Sequence, residues 1–267
     1  MEKYESCIEI AEGTYWVGFY DKSSGLHCNP YLIIDNDEAV LIDSGSRPDF
    51  PTVMMKILMT GVLPSSIKAL IYHHYDPDLC GSVPNFEAII DHKDLKIISD
   101  KTNNMFIRHY GISSSFVSLD ECNHKFEFTS GRLLQFINTP YSHSLGSFVT
   151  FDTKSKILFT SDIFGSYGKD WQLFLKLTTE CISCKNEEDF FKCKNNKSYC
   201  PIPDILYFHK HIMTSQKALR YSLEQIMKIP ISMIAPQHGS IISDSSDIKI
   251  ILELLYNLKD VGIDRII

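Results

Sequence analysis

Four short apolar runs in this chain each give way to polar donors, and that recurrence limits the folds open to it. "KALIY" (68–72) runs into His73, His74, Asp76 and Asp78; "TPYSHSLGS" carries His143, "LFTSDIFG" carries Asp162, and "ISMIAPQHGS" carries His238. Short apolar runs bounded by turn residues read as buried strands, and donors gathered from the ends of several strands line one cleft. His74, Asp76 and Asp78 stand at alternate positions, so a chain that stays extended sends all three from one face. His73 then points the other way, into the core or a hydrogen bond behind the site. Pro77 and Pro84 stiffen the segment and Gly81 permits a close approach. A single H-x-D-x-D match is explained as well by solvated loop residues; the recurrence after three further strands favours a metal site.

The rest of the chain fits strands alternating with helices. Residues 14–43 alternate β-rich runs with Gly, Asn and Asp, as hairpins do. A helix is expected over 51–60, begun by Pro51 and stopped by Gly61. Further strands are expected at 87–91, 95–98, 124–128, 132–137, 147–152 and 156–160. One helix is expected over 211–228, from the spacing of Ile212, Leu219, Leu223, Ile226 and Met227, then a strand at 231–235 and a helix at 246–258. Two β-rich halves, each followed by helices, predict two sheets packed face to face with helices outside, in one domain of residues 1–267. Residues 181–204, rich in Lys, Asn, Glu and Cys, stand out as an insertion.

Composition narrows the partners. With 267 residues, 44% of them hydrophobic, the chain can bury a core, and its formal net charge of −7 argues against nucleic acid. No run approaches the roughly 18 apolar residues of a membrane span and no signal-peptide pattern opens the chain, so a cytoplasmic protein is expected. Eight cysteines then point to thiols or metal ligands rather than disulfides.

With these motifs assembled, the chain resembles the metallo-β-lactamase fold, an αββα sandwich of two mixed sheets, and within it the diiron domain of flavodiiron proteins. The resemblance rests on "NPYLIIDNDEAVLIDSG", "HYDPDLCGSVP", "HSLGSF", "ILFTSDIFGS" and "MIAPQHGSI". It implies two irons: His74, Asp76 and His143 at one, Asp78 and His238 at the other, Asp162 between them. Carboxylates with imidazole suit iron, whereas zinc hydrolases of the fold favour more histidine. It also implies a homodimer, and places His27 and Tyr207 at the pocket edge. His92, His109, His124, His209 and His211 sit in polar stretches and are expected at the surface; Cys80 is expected to be a small buried filler.

Two positions depart from the family pattern. Asp76 stands where a Glu is usual, which questions its reach, and Leu79 stands where a His is usual, which leaves the second iron short of a ligand. The chain ends about where the diiron domain should end, so neither FMN nor its domain is expected. The resemblance therefore implies a protein that binds O2, or NO, as a sensor in signalling such as chemotaxis, through a signalling partner. The alternatives are an O2 or NO reductase served by a separate redox partner, a metal-dependent hydrolase, or a scaffold whose site no longer binds metal. Cys181, Cys184, Cys193 and Cys200 form a second candidate set, able to close a tetrahedral zinc or iron site or to remain loop thiols.

Overall fold

The computed structural model describes residues 4–177, 181 and 200–266. The first sheet takes strands β1 (Ile8–Ala11), β2 (Thr14–Trp16), β3 (Tyr31–Asp35), β4 (Glu38–Ile42), β5 (Ile67–Ile71), β6 (Lys96–Ser99) and β7 (Ser115–Ser118) in chain order. Its first four strands pair antiparallel, and β4 to β7 pair in parallel through crossovers. Those crossovers carry α1 (Phe50–Met59), α2 (Pro77–Cys80), α3 (Val83–Ile90) and α4 (Lys101–Ile107). The second sheet has the order β12-β11-β10-β9-β8, from β8 (Lys125–Glu127), β9 (Leu133–Asn138), β10 (Phe148–Asp152), β11 (Ile157–Phe159) and β12 (Met233–Ala235). Helices α5 (Ile202–Ile212), α6 (Gln216–Ile226) and α7 (Ser245–Tyr256) complete the fold.

Strand periodicity sorts the side chains into layers. Ile33, Val40, Ile42, Ala69 and Ile71 point inward against Phe136, Phe148, Phe159 and Ala235 of the second sheet. Their neighbours Leu32, Leu41 and Leu70 point outward against Val53 and Ile57 of α1 and Phe86 of α3. Val149, Phe151 and Leu158 cover the other outer face beneath Phe208, Leu223 and Ile251 of the C-terminal helices. The chain is thus a four-layer αββα sandwich of mixed sheets, as expected. Among the described residues no helix is long and apolar enough to cross a membrane.

Two expected elements differ. Residues 87–91, expected as a strand, lie mostly in α3, where Val83, Phe86 and Ile90 form one buried helical stripe; a short apolar run does not distinguish the two periods. The helix expected over 211–228 is two helices. Met213 leaves α5 in extended geometry, and Ser215 caps α6 by accepting from the Ala218 N–H at 3.2 Å. Cys184 and Cys193 lie outside the described residues; Cys181 is buried in the core beneath the C-terminal helices, and Cys200 packs against that core.

Ile33→Ala tests the layer between the sheets, where Ile33 is wholly buried. The expected cost is about 2–5 kcal/mol, read as a lower denaturant midpoint at unchanged slope. A near-neutral result would contradict the packing.

Candidate metal centre

The six donors meet at one rim of the sandwich because of strand direction. β9, β11 and β12 run the same way in the second sheet, and the segments after them carry His143, Asp162 and His238. The segment after β5 brings His74, Asp76 and Asp78 to the same place. Continuing the β5 alternation past Ile71 turns His73 inward, where it is fully buried. Its backbone N–H donates to Asp43 Oδ1 at 3.1 Å, its Nδ1–H to Asp43 Oδ2 at 2.7 Å, and Nε2 lies 2.9 Å from Thr150 Oγ1. His73 therefore stands behind the site, not in it.

The alternation expected to carry His74, Asp76 and Asp78 holds only to Asp76. Asp76 is extended (φ −68°, ψ 149°) and begins α2, so Asp78 is placed by a helical turn begun by Pro77. The result is two groups. His74 Nε2 lies 3.6 Å and His143 Nε2 3.3 Å from Asp76 Oδ2. Asp162 Oδ2 faces the same pair, 3.8 Å from His74 and 3.0 Å from His143. Its other oxygen turns away: Oδ1 lies 3.6 Å from His238 Nε2, which is itself 3.1 Å from Asp78 Oδ2.

Two of the imidazoles are aimed from behind. His74 Nδ1 lies 2.9 Å from Ser161 Oγ, and His238 Nδ1–H donates to the His27 carbonyl at 3.0 Å, so each Nε2 faces the cluster. The supporting turns are held at strand ends, where Asp43 and Ser161 take left-handed backbone (φ 46° and 52°), as over-determined site residues do. Gly146, in the His143 loop, admits no side chain: a Cβ there would stand 2.4 Å from Thr102 Oγ1 and 2.5 Å from Asn103 Oδ1. Asn103 ties that loop to the segment after β5, donating to the Gly146 carbonyl at 2.8 Å and the His73 carbonyl at 3.3 Å.

The electrostatics suit cations. Burial pushes the Asp162 carboxyl up, but His74, His143 and His238 outweigh it and hold the group well below the carboxylate range. Asp76 behaves likewise under His143 and His74. Burial works against charge on His143, yet Asp162 and Asp76 raise its imidazole to about 10. Among the described residues, no lysine or arginine ion pair reaches Asp76, Asp78 or Asp162. Asp162 Oδ1 is buried without a hydrogen-bond partner. An orphaned carboxylate oxygen between imidazoles fits a metal ion.

Other expected residues fall elsewhere. His27 is fully buried: Nδ1 accepts from the Asp21 N–H at 2.9 Å, Nε2–H donates to the Gly168 carbonyl at 3.0 Å, and the ring packs against both Tyr20 and Trp171, which also stack on each other. Tyr207 is 53% exposed and packs on Tyr167 and His211. His209, expected at the surface, is fully buried; it donates to the Ile205 carbonyl and accepts from the Phe164 N–H at 2.9 Å, pinning the segment after Asp162. Burial pushes its imidazole down to about 4. Cys80 is buried and donates to the Tyr75 and Asp76 carbonyls, and Leu79 is buried against the outer core.

Sequence reasoning missed two neighbours of His238. Asn29 donates to the Pro236 and Gly239 carbonyls at 3.0 and 2.8 Å while accepting from Trp16 Nε1 at 2.8 Å, clamping the turn that holds His238. Cys28 then falls beside Asp78 and His238, and the ligand atoms of these three lie within 4.8 Å of one another. His74, Asp76 and His143 make a second such group. The quoted "NPYLI" motif begins at Asn29 and was the available signal.

Residues 26–239 match the ODP beta-lactamase family. The chain belongs to that family. The match encloses all six donors and both clamps, Asn29 and Asn103. The ODP-family chain is similar to a solved structure described as the peroxy diiron species of the chemotaxis sensor ODP, at 24% identity and TM-score 0.75, covering 97% of each chain. It is also similar to rubredoxin oxygen:oxidoreductase from Desulfovibrio gigas, at 17% identity and TM-score 0.76, over 94% of this chain and 61% of that one. At these identities both likenesses speak to the fold. Among curated proteins, a putative diflavin flavoprotein of Synechocystis sp. is 24% identical over 227 residues, 84% of this chain and 35% of its own length. The chain thus spans about a third of that relative's length.

Two outcomes follow. In the metal-free protein, His143 rises from its ordinary 6.5 to about 10, so its stabilising contribution is whole below pH 6.5 and is lost as pH climbs through about 10. The thermal midpoint of metal-free wild type should fall over that interval, and His143→Gln should flatten the fall; an equal slope in both would refute the pairing. His73→Gln should keep wild-type metal content while His143→Ala and Asp162→Ala lose metal, measured by elemental analysis. A His73→Gln protein that folds but is empty would place His73 among the ligands.

Proposed function

We propose that the cluster holds two irons and that the protein binds and reacts with O2 as a sensor. His74, Asp76 and His143 would hold one iron and Asp78 and His238 the other, with Asp162 facing both. The observation that carries this is the division of Asp162 between two imidazole groups, Oδ2 toward His74 and His143 and Oδ1 toward His238. Three carboxylates with three imidazoles suit iron better than the histidine-rich sets of zinc hydrolases, which favours oxygen chemistry over hydrolysis. An iron pair supplies electrons to a bound diatomic molecule.

The chain's own residues prepare that chemistry. Each metal must displace protons from imidazoles that the carboxylates keep charged, so metal uptake releases protons and weakens as pH falls. Asp162 and His238 are almost fully buried, while Asp76 and Asp78 keep side-chain exposures of 34% and 29%. A small ligand therefore approaches from the α2 side. Leu79, buried against the outer core, offers no donor there.

The sensor reading is supported by the family and by the likeness over nearly the whole of both chains to a chemotaxis sensor. A lasting bound state can shift a conformational population toward a partner. A second reading, an O2 or NO reductase with a separate donor protein, is supported by the likeness to rubredoxin oxygen:oxidoreductase. We further propose that residues 1–267 act as one domain, in a homodimer.

Mixing iron(II)-loaded protein with O2 in a stopped-flow spectrometer, beside an oxygen electrode, separates the readings. The sensor reading predicts stoichiometric O2 uptake and a visible absorption band that lasts minutes. Sustained O2 consumption with added reductant would establish the reductase; no O2 uptake would refute both.

A further inference from the structure

The two groups at the rim differ by one donor in the expected ligand set. Three side chains converge on one side of Asp162, but only Asp78 and His238 were expected on the other, and Leu79 is buried in the outer core. The thiol of Cys28 occupies that second side, within the same 4.8 Å span that defines the His74, Asp76 and His143 group.

Cys28 is not on a loose loop. It is 4% exposed, and its carbonyl accepts from the Phe19 N–H at 3.1 Å. The next residue, Asn29, donates its backbone N–H to the Gln237 carbonyl at 2.8 Å, beside His238. The preceding carbonyl, of His27, accepts from His238 Nδ1–H. Both flanking residues thus bind the turn that carries His238, which fixes the thiol against it. A second observation points to a ligand at this place: Asp162, 3% exposed, sends its partnerless Oδ1 toward the same group, 3.6 Å from His238 Nε2.

We propose that Cys28 Sγ is a ligand of the second metal position, completing a Cys28, Asp78 and His238 set opposite His74, Asp76 and His143, with Asp162 shared. The proposal rests on the two-metal reading of the cluster. On metal uptake the S–H bond breaks heterolytically, the sulfur lone pair goes to the metal and the proton leaves to solvent, with no change of oxidation state. The cation deprotonates the thiol, as coordination to a divalent metal does. The thiolate joins Asp76, Asp78 and Asp162 to give four negative charges, which balance two divalent ions. A soft donor also makes the second position selective for iron, cobalt or zinc over magnesium, calcium or manganese.

Anaerobic titration of metal-free protein with cobalt(II) reads the sulfur directly. Wild type should bind two equivalents and show an intense near-ultraviolet sulfur-to-cobalt band with the equivalent that fills the second position. Cys28→Ser should lose that band and weaken that equivalent by at least the roughly 10–100-fold that loss of an outer partner costs, leaving the other unchanged. Iron-edge X-ray absorption of the iron(II)-loaded wild type needs no variant and should show sulfur at about 2.3 Å, averaging half a sulfur per iron. Two metals bound without sulfur, or a band that survives Cys28→Ser, would overturn the assignment and leave the two-metal reading standing. No metal uptake by wild type would overturn both.

Discussion

A carboxylate buried between two groups of imidazoles sets the terms for this structure. Asp162 is almost without solvent, and among the described residues no lysine or arginine pairs with it. Taking an ionised carboxylate out of water costs several kcal/mol or more unless opposite charge compensates it. In the metal-free chain the imidazoles supply that charge, and His143 is raised to about 10 as a result. Cations can take over the role, since each released proton vacates a nitrogen already aimed at a carboxylate oxygen.

The sandwich makes such a site affordable by keeping it at a rim. Between the sheets the core is mainly apolar, and the buried polar group behind the donors, His73 with Asp43 and Thr150, is hydrogen-bonded at its backbone N–H and both ring nitrogens. Behind the donors, Asn29, Asn103 and His209 each tie a site-bearing turn to a strand or helix elsewhere in the chain. The geometry of the donors is therefore set by buried side-chain bonds rather than by the exposed loops.

How much of this was legible in the sequence follows from the range of each interaction. The six donors were visible because each follows an apolar run that ends in a turn, and His73 because strand alternation reaches two residues past Ile71. The helical turn at Asp78 was written in Pro77 but masked by the regular spacing of three donors. Residues 87–91 misled because Phe86, Ala88, Ile89 and Ile90 fit both periods, and the break before α6 was marked by Ser215. His209 was beyond reach: its role depends on a contact with Phe164, 45 positions away along the chain. No local pattern encodes such contacts.

Anomalous diffraction from crystals grown anaerobically with iron(II) tests the central claim most directly. Data on either side of the iron edge should show two peaks flanking the Asp162 carboxylate, one beside His74, Asp76 and His143 and one beside Asp78 and His238. A single peak, or peaks that appear at the zinc edge and not at the iron edge, would contradict the account.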